Sequence, residues 1–152
     1  MFTQGYQKET SNIEQIRSNI QEYFLNREEI NFVYLFGSFV TAASFRDIDI
    51  AAHFKEVPSL IDFGLMKTEL EERISLPIDL VKLNQLPGKN PLLAYEIVTD
   101  GELILNNDPL SHTKYKLTCL HHYHDTRYLR EQMDGAFKKR LDLGHFGKRN
   151  YE

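Results

Sequence analysis

Three aspartates have the residue type and spacing that a divalent-metal site requires. Asp47 and Asp49 are separated by one residue, and Asp79 follows later in the chain. Residues at positions i and i+2 of a β-strand project from the same face, so the first two carboxylates would lie side by side. Carboxylate oxygens are preferred ligands of Mg²⁺, and a third carboxylate from a neighbouring strand would complete the ligand set. The three aspartates therefore predict a site for one or two magnesium ions.

A glycine and a serine upstream of these aspartates predict a phosphate-binding turn. Gly37 permits backbone conformations that are closed to other residues, and Ser38 supplies a hydroxyl beside the amides of a predicted helical turn. Arg46 is a further candidate for a phosphate contact, although an arginine before a strand is more often simply solvated. We therefore predict Gly37, Ser38 and Arg46 as nucleotide-binding residues.

The elements that must position these residues can be predicted from hydrophobic periodicity and from proline and glycine. Helices are predicted over 10–28, 59–74, 91–98 and 109–143, and a short helical turn through Ala43. Strands are predicted over 31–36, 47–54, 78–83 and 102–105, the last at a sheet edge, with a loop at Pro87-Gly88. Alternating strands and helices indicate an α/β sandwich, but the pattern alone does not distinguish an antiparallel from a mixed sheet.

Composition and charge restrict the class of protein. The 152 residues, 41% hydrophobic and 26% charged, suit one globular domain, and the absence of a long apolar run or leader predicts a cytoplasmic protein with no membrane contact. The lone Cys119 agrees with a reducing compartment and is expected to be a buried apolar residue. Residues 1–110 hold 9 Lys and Arg against 17 Asp and Glu, whereas 111–152 hold 9 against 5. The acidic body argues against binding a nucleic-acid backbone.

The order of these motifs resembles a known family. Leu35-Phe36-Gly37-Ser38 followed by Asp47-Ile48-Asp49 is similar to the signature of the DNA polymerase β-like nucleotidyltransferases. The segments that begin at Asp79 and at Leu93 resemble its minimal nucleotidyltransferase (MNT) branch, in particular MntA-type antitoxins, which are encoded beside HEPN-domain ribonuclease toxins. The resemblance covers roughly residues 30–108.

This resemblance implies a fold, an activity and a partner. The fold would be an α/β (α+β) nucleotidyltransferase fold: a mixed sheet of about four strands with helices packed on it, formed by residues 1–108, and a long C-terminal helical extension over 109–152. Asp47, Asp49 and Asp79 would be catalytic and would bind Mg²⁺, while Gly37 and Ser38 would hold the phosphates of ATP. The expected reaction is transfer of AMP to a tyrosine of a HEPN toxin.

Several alternatives stay open at the level of sequence. Eight residues, Phe39 to Arg46, separate Gly37-Ser38 from the aspartate pair, fewer than the family usually has, which motivates a catalytically silent antitoxin that only masks its partner. A small-molecule nucleotidyltransferase is a third hypothesis, but no second substrate domain is evident in this length. The helix over 109–143 is longer than a small domain needs, so its aromatic and basic end is expected to contact a second copy of the chain or the toxin.

Overall fold

The computed structural model describes residues 6–7 and 10–142. In chain order its elements are β1 (Tyr6–Gln7), α1 (Thr10–Leu25), β2 (Ile30–Phe36), α2 (Ser38–Thr41), β3 (Ser44–Phe45), β4 (Ile48–Phe54), α3 (Leu60–Ile74), β5 (Ile78–Lys82), α4 (Leu86–Lys89), α5 (Pro91–Asp100), β6 (Glu102–Asn106) and α6 (Pro109–Asp142). No helix in the described part of the chain is long and apolar enough to cross a membrane.

The central sheet is mixed, as the family resemblance implied. Its strand order is β5-β4-β2-β6, and β6 forms an edge, as predicted. Strand β2 runs antiparallel to both β4 and β6, whereas β4 and β5 are parallel. The C-terminal end of β2 and the N-terminal ends of β4 and β5 therefore meet at one end of the sheet.

Apolar side chains cover both faces of this sheet. Ile48, Ile50 and Leu80 pack with α1 and α3 on one face. Ala51 and Val81 pack with α5 and α6 on the other. Because side chains alternate between faces along a strand, odd-numbered residues of β4 and β5 project toward α5 and α6. Asp49 and Asp79 are thereby placed on that second face.

Helix α6 packs on the sheet through its first half. Tyr115 and Cys119 are buried, which confirms Cys119 as a buried apolar residue, and the Tyr115 hydroxyl donates a 2.7 Å hydrogen bond to the Leu83 carbonyl. Further along the helix, Leu129 and Met133 are 61% and 71% exposed. The apolar stripe thus leaves the core well before the helix ends. Leu143 lies outside the described residues.

Two local sequence predictions are corrected. The predicted loop at Pro87-Gly88 is the one-turn helix α4, where proline occupies a first-turn position whose N–H is not needed for helical bonding. Helix α1 ends at Leu25 rather than at residue 28. In α3 the helical prediction holds, but Leu60 and Ile61 are 80% and 81% exposed because the helix contacts the core through Met66 and Leu70.

Replacing Tyr115 with phenylalanine should lower the melting temperature by about 2–4 °C. The variant loses one buried hydrogen bond, worth about 1 kcal/mol, while the Leu83 carbonyl keeps its bond from the Leu86 N–H. Thermal unfolding followed by circular dichroism is the measurement. Tyr128→Phe is the matched control, because Tyr128 is exposed on the same helix. Equal melting temperatures for the two variants would show that the Tyr115 hydrogen bond contributes nothing.

Candidate active site

A row of side chains crosses three strands at the end of the sheet where β2 ends. Asp49 is paired in register with Phe36 of β2 and with Asp79 of β5. Directly paired residues on neighbouring strands have their Cβ atoms about 4.5–5.5 Å apart. The structure therefore brings Asp49 and Asp79 together on the α5 and α6 face, with Phe36 on the other side of Asp49. Asp47 immediately precedes β4.

Gly37 lies directly against this row. Its φ angle is +74° and its ψ angle is −156°, a combination that is essentially restricted to glycine. A Cβ atom at this position would lie 2.0 Å from Asp49 Oδ2. The backbone of the predicted phosphate turn is thus in contact with a predicted metal ligand. This contact is why the position requires glycine, both for its conformation and for its lack of a side chain.

Electrostatics set the Asp49 carboxyl apart from an ordinary surface aspartate. Burial, then the charges of Asp47 and Asp79, and a hydrogen bond with Asp79 raise the pKa of Asp49 to about 7. Near neutral pH the Asp49 carboxyl is therefore partly protonated. A bound cation would reverse this effect, because an opposite charge favours the ionised carboxylate.

The three carboxylates have the ligand chemistry that Mg²⁺ prefers. Magnesium prefers a small number of carboxylate oxygens together with water and substrate phosphates. In the described part of the chain, no three His, Cys, Asp or Glu side chains form a ready-made metal-binding group in this conformation. Asp49 and Asp79 instead bond to each other. A cation bound here would gain two carboxylates from adjacent strands, with Asp47 as the third, so the chemistry of the donor set fits the ion.

Ser38 and Arg46 are placed differently. Ser38 is the first residue of α2. The Gly37 carbonyl accepts hydrogen bonds from the Val40 and Thr41 N–H groups, both at 3.1 Å. Arg46 is exposed and makes no hydrogen bond or ion pair with any described residue. The structure thus brings Ser38 to the site through Gly37 and leaves the Arg46 side chain facing solvent.

The short segment between the two motifs is held by contacts that sequence analysis missed. Strand β3 pairs antiparallel with β1. Phe45 of β3 is buried edge-on against Phe39 of α2, with ring centroids 4.9 Å apart. Two-residue strands carry no periodicity, so the pairing has no sequence signal, but two phenylalanines in a polar segment indicate an anchor. The segment over the site is therefore fastened to the body of the domain.

A cavity beside Gly37 was also missed. Its volume is about 320 Å³, and it is lined by Phe36, Gly37, Thr41, Leu93, Glu96, Ile97, Asp100 and Gly101. The lining combines the end of β2, the turn and one face of α5. The sequence predicted a helix over 91–98 here, and no role was assigned to the two acidic residues of α5.

Comparison with known proteins places this arrangement in a family. The sequence profile described as polymerase beta, nucleotidyltransferase matches residues 18–110, which is more than half of the chain. The chain therefore belongs to the polymerase β nucleotidyltransferase family. A search of curated protein sequences found no match.

Solved structures with the same fold come from toxin–antitoxin complexes. A chain of the crystal structure of the toxin–antitoxin MntA–HepT is 19% identical, with a TM-score of 0.63, and the match covers 82% of this chain and 98% of that one. A toxin–antitoxin structure with AMP-PNP is 21% identical (TM-score 0.66; coverage 80% and 98%). A complex of tri-AMPylated Shewanella oneidensis HEPN toxin with MNT antitoxin is 20% identical (TM-score 0.64; coverage 82% and 98%). These likenesses show the fold.

Proposed function

We propose that this chain is an antitoxin that transfers AMP from ATP to a tyrosine hydroxyl of a HEPN ribonuclease in a metal-dependent reaction. The observation that carries the proposal is the contact of Gly37 with Asp49, which is itself paired with Asp79. Family membership supports nucleotidyl transfer. The AMPylated HEPN toxin found with an MNT antitoxin of the same fold supports the choice of acceptor.

Each residue of the site has a distinct proposed role. Asp47 and Asp49 would hold Mg²⁺ with the triphosphate, and Asp79 would hold it beside the acceptor. When bound, Mg²⁺ would neutralise phosphate charge and lower the pKa of the attacking hydroxyl. The backbone at Gly37 and the Ser38 hydroxyl would bind the β and γ phosphates, since glycine lets these oxygens approach closely. Arg46, exposed and unpaired among described residues, is free to contact a phosphate.

The reaction balances without any further reagent. The tyrosine oxygen attacks the α-phosphorus of ATP, the bond between the α-phosphorus and the bridging oxygen breaks, and pyrophosphate leaves. The hydroxyl proton passes to Asp79 and then to water. A carboxylate on the edge strand β5 suits this role because the Asp79 side chain is exposed.

ATP should bind at least about 10-fold more tightly with Mg²⁺ than with a chelator, because clustered carboxylates repel an uncompensated triphosphate. Calorimetric titration of ATP under the two conditions measures this. Asp62→Asn is the control, since Asp62 is an acidic residue of α3 remote from the site in the fold, and it should keep the full metal effect. Equal affinities with and without metal in the wild-type chain would contradict a metal site at Asp47, Asp49 and Asp79.

The exposed end of α6 is the proposed contact for the toxin. Leu129 and Met133 lie on one helical face, one turn apart, and both are exposed. Replacing both with aspartate should weaken the toxin complex at least about 10-fold and leave ATP binding and melting temperature unchanged. Calorimetry with the proposed HEPN partner is the measurement. The matched control replaces the exposed Leu60 and Ile61 of α3 with aspartate. An equal loss of toxin affinity in both double variants would show that the effect is not specific to α6 and would contradict this interface.

Binding without catalysis is the second candidate function. It is favoured by α2, which is a single turn of four residues, and by the short segment that follows it. A binding-only antitoxin would silence the ribonuclease in the absence of ATP, and its toxin would carry no AMP. Ribonuclease activity measured with and without ATP, together with the mass of the recovered toxin, separates the two functions.

A further inference from the structure

The cavity of about 320 Å³ shares Gly37 with the candidate active site. Gly37 borders the cavity on one side and Asp49 on the other, since a Cβ at Gly37 would contact the Asp49 carboxylate. Phe36 lines the cavity and is the cross-strand partner of Asp49. A molecule whose phosphates lie at Gly37 can therefore extend into this cavity.

One face of α5 gives the cavity an apolar part and an acidic part. Leu93 and Ile97 are separated by one helical turn, as are Glu96 and Asp100. Phe36 and Leu93 are partly exposed and form a surface against which a planar ring can pack, whereas Ile97 is fully buried. The two carboxylates provide hydrogen-bond acceptors and no donors.

The two carboxylates are placed at a cost to the helix. Like charges one turn apart destabilise a helix, and anions near a helix C-terminus oppose its dipole. Glu96 and Asp100 lie in the last part of α5, and neither has an ion pair or a side-chain hydrogen bond with a described residue. Local arrangements that oppose stability are typical of binding sites.

We propose that this cavity binds the base of the nucleotide and that Glu96 and Asp100 determine base specificity. Their oxygens accept hydrogen bonds from the exocyclic amino group of adenine, while the partly exposed Phe36 and Leu93 pack against the ring. The inference rests on the proposed nucleotidyl transfer. It assigns the choice of nucleotide to two residues of α5 that lie outside the metal and phosphate motifs.

Calorimetry with two nucleotides tests the inference. ATP and purine riboside triphosphate differ in the adenine amino group, so with Mg²⁺ the wild-type chain should bind ATP at least about 10-fold more tightly. In the double variant Glu96→Met with Asp100→Leu, this difference should fall below about 3-fold. The variant Glu96→Gln with Asp100→Asn keeps amide oxygens as acceptors and should retain part of the difference. The matched control, Asp62→Leu with Glu72→Met on exposed positions of α3, should behave as wild type.

The outcomes separate this inference from the proposed function. Equal binding of the two nucleotides by the wild-type chain, or an unchanged difference in the Glu96→Met with Asp100→Leu variant, overturns the base-specificity role and leaves nucleotidyl transfer standing. Failure of ATP to bind in the presence of Mg²⁺ overturns both. Loss of the difference in the α3 control as well would show that charge at a distance, and not contact in the cavity, is responsible.

Discussion

Asp49→Asn should lower the rate of nucleotidyl transfer at least about 1,000-fold, because it removes a metal-binding charge at the centre of the row. The side chain keeps its size, so the fold should be retained. Asp47→Asn is expected to have a similar effect. Transfer is measured with labelled ATP and the toxin, and circular dichroism monitors the fold of the same samples. Full activity of both variants would contradict the assignment of these carboxylates.

The same Asp49→Asn substitution should raise the stability of the metal-free protein, and the gain should depend on pH. The folded pKa of Asp49, about 7, lies above its unfolded value, so the free energy of unfolding falls as pH rises from the unfolded pKa to the folded one. Asparagine removes this loss. Discounted for partial exposure, the gain in free energy of unfolding is about 1–2 kcal/mol at about pH 8, which raises the melting temperature by about 2–8 °C. At about pH 4 the gain is close to zero.

Thermal unfolding in chelator at these two pH values checks the sign. Asp62→Asn is the control, because Asp62 lies in the exposed first turn of α3. A gain of equal size at both pH values would show that the raised pKa of Asp49 is not its cause. Added Mg²⁺ should narrow the difference between wild type and variant, since it stabilises only the ionised site.

Gly37→Ala should have the second large effect, on stability and activity together. The φ and ψ angles of Gly37 belong to a region that costs other residues about 1–3 kcal/mol, and the new Cβ would lie 2.0 Å from Asp49 Oδ2. The carboxylate must therefore move away from Gly37 and leave its present position. We expect a melting temperature lowered by about 4–10 °C and transfer reduced at least about 100-fold.

A matched glycine separates this effect from a general intolerance of alanine. Gly64 lies in α3, and a Cβ there would meet no atom within 4 Å, so Gly64→Ala should stabilise the protein by about 0.5–1 kcal/mol. The double variant Gly37→Ala with Asp49→Ala removes the clash and should recover part of the stability but none of the activity. A Gly37→Ala variant that matches wild type in both assays would mean that the turn is not held against Asp49.

The parts of the fold that sequence predicted are those with strong local signals. The strand ending at Gly37, the paired aspartates and the long helix from Pro109 follow from apolar runs, from alternation and from capping residues, all of which are short-range. The joint arrangement of Asp49 and Asp79 could be predicted because each lies in an apolar strand that must be buried. Their register, by contrast, is a property of the assembled sheet.

Features that depend on long-range packing could not be predicted. The pairing of β1 with β3 joins residues far apart in sequence through two-residue strands. Leu60 and Ile61 match the helical pattern yet are exposed, because the orientation of α3 on the sheet decides which face is buried. The cavity between α5 and Gly37 arises from the packing of three elements, and none of them encodes it alone.

The most direct test of metal-dependent nucleotidyl transfer is the mass of the proposed HEPN partner after incubation with this protein, ATP and Mg²⁺. We predict that the toxin gains the mass of one or more AMP groups, that proteolytic mapping places them on tyrosine, and that a chelator or Asp49→Asn prevents the gain. A toxin that is silenced by this protein while its mass is unchanged under all these conditions would contradict the proposed transfer.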